Sequence, residues 1–209
     1  MTNEGNIITN DSTEQKIKEA ARKVFTEKGF AATRTRDIAE ASGYNLALIN
    51  YYFRSKENLF NIIMIESLQL FVGSILPILN DRETTLMQKV ETMVDHYIDM
   101  LIANPNIPFF VMNAVNTNPH ELMARVAGQN AIGSTYLEEQ WRELIKKKKA
   151  LAFNPMHLFI NMIGMTVFPF VAAPMIKARN KISNEAYIQM MLERKKLIPI
   201  WMKSMFETI

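Results

Sequence analysis

The sequence of 209 residues contains no cysteine. That excludes disulfides, thiolate metal ligands and a cysteine nucleophile, and it is compatible with a reducing compartment. Histidine is nearly as scarce. His96, His120 and His157 lie far apart and lack the H-x-x-x-H or H-x-x-E spacing that sets ligands on one helix face, so no metal site is read from them. G-x-S-x-G, P-loop and G-x-G-x-x-G patterns are also missing, and the seven glycines fall at helix ends or inside apolar helical stretches. The sequence therefore gives no positive sign of an enzyme or of a cofactor. A basic segment followed by an apolar run and a cleavage site is absent from the amino terminus, which makes the cytoplasm the expected location.

What is present is globular in character: 48% of the residues are hydrophobic and 22% charged. The net charge of +3, with a pI near 9.0, permits nucleic-acid binding without demanding it.

The chain is organised around Thr33 to Lys56, TRTRDIAEASGYNLALINYYFRSK. Ile38, Ala39 and Ala41 give a first short helix its apolar positions, Ser42-Gly43 supplies a turn, and Leu46, Leu48, Ile49 and Phe53 give a second short helix its buried side. This is the outline of a helix-turn-helix. Asn45, Asn50, Tyr51 and Tyr52 fall on or near the second helix; Arg34, Thr35 and Arg36 open the first; Arg54 and Lys56 follow the pair. Polar, flat and cationic side chains on a short helix pair suit base edges and phosphates. On spacing alone, the same residues also fit an αα-hairpin with a few surface bases.

The string GF-x-x-T-x-T-R-DIAEASG followed by LINYYF-x-SKENLF, spanning about Ile17 to Phe60, resembles the amino-terminal DNA-binding domain of TetR-type (tetracycline-repressor-like) transcriptional regulators. Two positions depart from that pattern. Tyr52 stands where a histidine is common, and Leu46-Ala47-Leu48 is an apolar start to the recognition helix, so the operator sequence does not carry over. The resemblance implies that Thr35, Arg36, Asn45, Ala47, Asn50, Tyr51, Tyr52 and Lys56 touch DNA. Arg36 and Asn50 are expected at base edges, Ala47 at a thymine methyl, and Thr35, Tyr51, Tyr52 and Lys56 at phosphates.

In chain order, residues 1–11 show no period and are expected to form a mobile tail, with the first helix starting near Asp11 or Ser12. Residues 12–54 form the helix-turn-helix domain and 55–209 a helical effector-binding and dimerisation domain. A long helix from Ser55 to Pro77 joins the two domains. Further helices are expected from Glu83 to Ala103, in short pieces from Pro108 to Gly133, and from Ser134 to Ala152, where Lys146 to Lys149 read as a solvated helix end. Met156 to Ile176 is nearly all apolar and, at 21 residues, long enough to span a bilayer. His157, Asn161, Pro169 and Pro174 interrupt it, so it is read as a core or interface helix, with no membrane partner.

The last helix carries a long apolar stripe from Tyr187 to Phe206. In the family it resembles, the last two helices of each chain build a four-helix bundle. A homodimer interface is therefore expected at Tyr187, Met191, Arg194, Ile198, Trp201 and Met205. An effector pocket is expected among the middle helices, with Phe109, Phe110, Met112, Met123, Phe159, Met162 and Phe168 as walls and Asn113, Asn116 and Asn161 as polar anchors. Ordinary core packing is the competing reading of each of these.

The expectation is thus an all-α chain: a three-helix helix-turn-helix domain, a long connecting helix, and an α-helical ligand-binding and dimerisation domain. It would act as a regulator, most often a repressor in that family, on a palindromic double-stranded operator, released by a small apolar or aromatic effector. Two alternatives stay open. One is a helical protein-interaction or enzyme domain that reuses the helix-turn-helix as scaffold; the other is a membrane-associated regulator.

Overall fold

In a computed structural model, which describes residues 4–127, 135–147, 154 and 156–208, every regular element is an α-helix. The helices are α1 (Glu4–Lys28), α2 (Thr35–Ser42), α3 (Leu46–Phe53), α4 (Lys56–Asn80), α5 (Leu86–Ala103), α6 (Ile107–Thr117), α7 (Pro119–Ala127), α8 (Tyr136–Lys147), α9 (Met156–Val171), α10 (Ala173–Asn180) and α11 (Asn184–Thr208). The chain divides into two compact units, Met1–Ser67 and Leu68–Ile209, with the boundary inside α4.

The first unit packs α1, α2, α3 and the first part of α4 around Ile17, Ala21, Phe25, Ile38, Ile49, Phe53, Leu59 and Ile63, all buried. Phe25 meets Phe60 edge to face at 5.1 Å between ring centroids, and Phe30 lies 4.6 Å from Phe60. Lys18 of α1 donates to Glu66 of α4 at 2.7 Å, and Arg22 donates to Ser67. These contacts explain why the boundary lies after Ser67 and not at residue 54: the start of α4 is core of the first unit. Helix α1 begins at Glu4, so residues 4–11 are helix where a tail was expected. The capping-box spacing at Asp11 and Ser12 is also ordinary i, i+3 spacing within a helix, which is why it misled.

By length and composition α4 could cross a membrane, with a mean hydropathy of 2.0 over its most apolar stretch. However, Leu59, Phe60, Ile63, Met64 and Ile65 are buried in the protein. Pro77 stays inside this helix. A proline has no N–H to offer the carbonyl four residues earlier, and here that residue is Gly73, which is exposed to water.

The second unit is built on α5, α9 and α11, which pack on one another. Helix α5 opens with a capping box in which Thr85 Oγ1 accepts from the Gln88 amide and the Gln88 side chain accepts from the Thr85 amide, at 3.3 and 2.8 Å. Lys89 is fully buried, and its ammonium donates to the carbonyls of Asp81 and Thr84 and to the Thr84 hydroxyl, closing the α4–α5 connection. Burial pushes that ammonium below the ordinary lysine value.

The apolar segment from Met156 is not one span: α9 and α10 meet at a 61° bend. Pro169 lies inside α9 and deprives the Met165 carbonyl of its helical donor. Arg194 of α11 supplies the replacement at 2.8 Å, and the Tyr187 hydroxyl donates to the Pro169 carbonyl at 2.9 Å, where the helix end has no donor of its own. Burial of the Tyr187 phenol pushes its pKa up to about 12. Lys195 adds ion pairs to Asp95 and Asp99 of α5, at 2.9 and 2.6 Å.

This packing corrects the expected dimer interface. Tyr187, Met191 and Ile198 are buried within the protomer, so their face of α11 is already covered by its own α5 and α9. Arg194 and Met205 are half-buried. Of the expected set Trp201 is exposed, as are Leu197 and Ile200 of the same helix and Ile160 and Phe168 of α9. Of the lysine run, Lys148 and Lys149 lie outside the described residues.

Candidate nucleic-acid interface

Gly43 ends α2 with φ +73°, and its amide donates to the Ala39 carbonyl at 3.0 Å. Nothing crowds the position, so the left-handed backbone is what calls for glycine. The chain then turns into α3, whose N-cap is Asn45: its side-chain oxygen accepts from the Leu48 amide at 2.8 Å. Ile49 and Phe53 anchor α3 in the core. The opposite side presents Ala47, Asn50 and Tyr51, at i, i+3 and i+4, to solvent. Tyr51 is 75% exposed and meets the half-buried Tyr52 edge to face at 5.3 Å.

At the start of α2, Thr35 is half-buried and Arg36 exposed. Asp37 accepts from the Arg34 amide at 2.7 Å and pairs with Lys28 at 3.0 Å. The amide first, then the lysine, holds its carboxyl below the usual carboxylate range. The carboxylate thus stays ionised at the start of α2, with its charge offset by Lys28.

Of the eight residues expected to touch DNA, Arg36, Asn45, Ala47, Asn50 and Tyr51 are exposed, while Thr35, Tyr52 and Lys56 are half-buried. The Lys56 ammonium donates to the carbonyls of Phe30 and Thr33, each at 3.0 Å, and lies 4.2 Å from the centre of the Phe30 ring. Lys56 therefore ties the α1–α2 connection to the start of α4. Two exposed cations near the helix pair lie outside the expected contact set, Arg34 and, past α3, Arg54. Arg54 ends α3 with φ +63° and ψ −45°, and the Ser55 amide donates to the Phe53 carbonyl across it at 2.7 Å. That is a γ-turn of the strained hand, held by a residue with a side chain.

A profile described as bacterial regulatory proteins, tetR family, matches residues 17–63. Residues 17–63 are the amino-terminal domain of a TetR-family regulator. A curated relative, the probable HTH-type transcriptional regulator YttP of Bacillus subtilis, is 25% identical over 202 residues, covering 94% of this chain and 95% of its own. Among solved structures, a TetR/AcrR-family regulator of Thermobifida fusca is similar with a TM-score of 0.59 at 16% identity, over 89% of this chain and 96% of its own. The regulator FadR of Bacillus subtilis, in complex with stearoyl-CoA, is similar with a TM-score of 0.54 at 14% identity, over 88% and 96%. At these identities the solved structures speak for the fold.

The second unit of this TetR-family chain holds a cavity of about 350 Å³, lined by Leu79 of α4, Met93 of α5, Leu137, Glu138, Trp141 and Arg142 of α8, Met156 and Phe159 of α9, and Thr135 and Asn154 beside them. Of the walls expected from sequence, only Phe159 is here. Phe109, Met112, Met123 and Phe168 are exposed, as are Asn113, Asn116 and Asn161; Phe110 is half-buried, and Met162 is buried core. Burial of Ile107 and Pro108 turns the next residues of α6 outward. Trp141 is itself buried, and its indole N–H has no acceptor among the described residues. Glu138 and Arg142, 3.6 Å apart, form an ion pair on the cavity wall. No group of three or more metal-ligating side chains occurs among the described residues.

Proposed function

We propose that this TetR-family regulator is a sequence-specific repressor that binds a palindromic operator as a homodimer and is released by a small apolar or aromatic effector. The observation that carries the DNA half is the exposed row Ala47, Asn50 and Tyr51, held on a helix whose other side is core, beside the exposed Arg36. A dimer would set two such rows into successive major grooves, roughly 34 to 36 Å apart. The exposed apolar side chains Leu197, Ile200, Trp201, Ile160 and Phe168 are the surface we assign to the partner protomer. The cytoplasm, where its DNA lies, is the proposed location.

The effector half rests on the cavity. Its volume of about 350 Å³ is at the lower end of small-molecule sites, and leucine, methionine, tryptophan and phenylalanine dominate its walls. The unpartnered Trp141 N–H suits a ligand carrying one hydrogen-bond acceptor. A hundredfold loss of operator affinity needs only about 2.7 kcal/mol of coupling.

Trp141 also provides the test. In a Trp201→Phe background it is the remaining tryptophan, because the chain has two. Aromatic acids and medium-chain acyl acids would be titrated into the protein–operator complex while indole fluorescence and DNA release are read together. Correlated quenching and release support the reading. Release by a compound that leaves Trp141 silent, or quenching without release, would move the effector site elsewhere.

A further inference from the structure

We infer that the operator bases under α3 are adenine and thymine, so that the specificity core of each half-site is an A·T step and not guanine or cytosine. This rests on the DNA-binding reading above and gives it a substrate class. Guanine offers the major groove two acceptors and is met by arginine or lysine; cytosine offers an amino donor and is met by a carboxylate. Helix α3, LALINYYF, contains no cation and no acid. Its exposed row is instead a methyl, an amide and a phenol, at Ala47, Asn50 and Tyr51.

A carboxamide presents one acceptor beside one donor, which matches the N6 amino group and N7 of adenine and mismatches the paired acceptors of guanine. The methyl of Ala47 matches the C5 methyl of thymine. Two asparagines compete for the adenine role, and hydrogen bonding separates them. The Asn45 oxygen is engaged by the Leu48 amide at 2.8 Å, so Asn45 has only its amino group left to donate. Asn50 has no side-chain partner among the described residues and keeps both halves of its amide available. The backbone adds to the distinction, since the Asn50 carbonyl receives the Arg54 amide at 2.9 Å and closes the last turn of α3 beneath it. The exposed cations flanking it, Arg36 of α2 and Arg54 just past the end of α3, are not part of the exposed row Ala47, Asn50 and Tyr51.

The test uses the full-length protein and changes the DNA, which leaves folding untouched. Sites are selected from a random duplex pool with wild type and with Asn50→Ala. In the wild-type site each adenine is then replaced by 7-deazaadenine, which lacks the N7 acceptor, and each thymine by uracil, which lacks the methyl. The inference expects one adenine per half-site whose 7-deaza replacement costs wild type about five- to a hundredfold in affinity and costs Asn50→Ala nothing further, with a neighbouring thymine sensitive to loss of its methyl. A selected site whose Asn50-dependent position is a G·C pair overturns the inference while leaving sequence-specific DNA binding intact. Failure to select any site, with equal binding to all duplexes, overturns the DNA reading itself and the inference with it.

Discussion

The two units of this chain are both helical, yet they assign roles to residues in different ways. In α2 and α3 of the first unit a residue's role follows from its immediate neighbours: Asn45 caps α3, Gly43 ends α2, and Ala47, Asn50 and Tyr51 face outward because Ile49 and Phe53 face inward. In the second, the role depends on what arrives from far along the chain. Arg194 is needed where Pro169 leaves the Met165 carbonyl without a donor, and the cavity takes walls from α4, α5, α8 and α9. Local grammar writes the exposed row of α3; long-range packing writes a pocket.

Neighbours in α3 put the largest effect on the first half of that comparison. Ile49→Ala should cost about 2–5 kcal/mol of stability because Ile49 is 1% exposed in the core, whereas Asn50→Ala should leave stability within about 0.5 kcal/mol and affect DNA binding alone. Chemical denaturation of both variants checks this. Equal losses would mean that α3 is not divided into a core side and a contact side.

In the second unit, Lys89→Met should cost up to about 3 kcal/mol, since it takes the ammonium from the half-buried carbonyls of Asp81 and Thr84 and leaves them only the Thr84 hydroxyl at 3.5 Å and the Gln140 side-chain amide at 2.9 Å. A thermal melt unchanged from wild type would show that water replaces the ammonium. Arg194→Met is next, at about 1–3 kcal/mol, through the Met165 carbonyl. Combined with Pro169→Ala, which restores a helical donor to that carbonyl, the loss should shrink. Additive losses would sink the idea that the arginine answers the proline.

The smallest expected change is a gain. Arg54→Gly relieves the γ-turn at φ +63° and should stabilise the protein by up to about 1 kcal/mol, with the glycine's greater unfolded-state freedom working against it. A destabilised variant would show that the Arg54 side chain contributes more than its backbone strain costs.

The same contrast explains what the sequence made legible. Short-range chemistry marks the helix ends: the Ser55 hydroxyl accepts from the Asn58 amide at 3.1 Å, the Ser183 hydroxyl accepts from the Ala186 amide at 3.2 Å, and Asn104 ends α5. Their chemistry is complete within four residues. The intramolecular partners of Lys56, Phe30 and Thr33, had no local mark because they lie more than twenty positions away. The stripe of α11 showed that the helix packs, but not which part of the stripe its own protomer covers. The pocket walls carried no local mark, since Leu79, Met93 and Trp141 look like any core residue until the helices are assembled.

The most direct test of the account is the ratio of specific to non-specific DNA affinity, measured across salt for wild type and for Asn50→Ala, Tyr51→Ala. The account predicts that wild type prefers its own upstream operator to a scrambled duplex by about a thousandfold or more, and that the double variant loses most of that preference while keeping much of its salt slope. Wild type that binds both duplexes alike, or a double variant with its preference intact, would contradict the claim that the exposed row of α3 reads DNA.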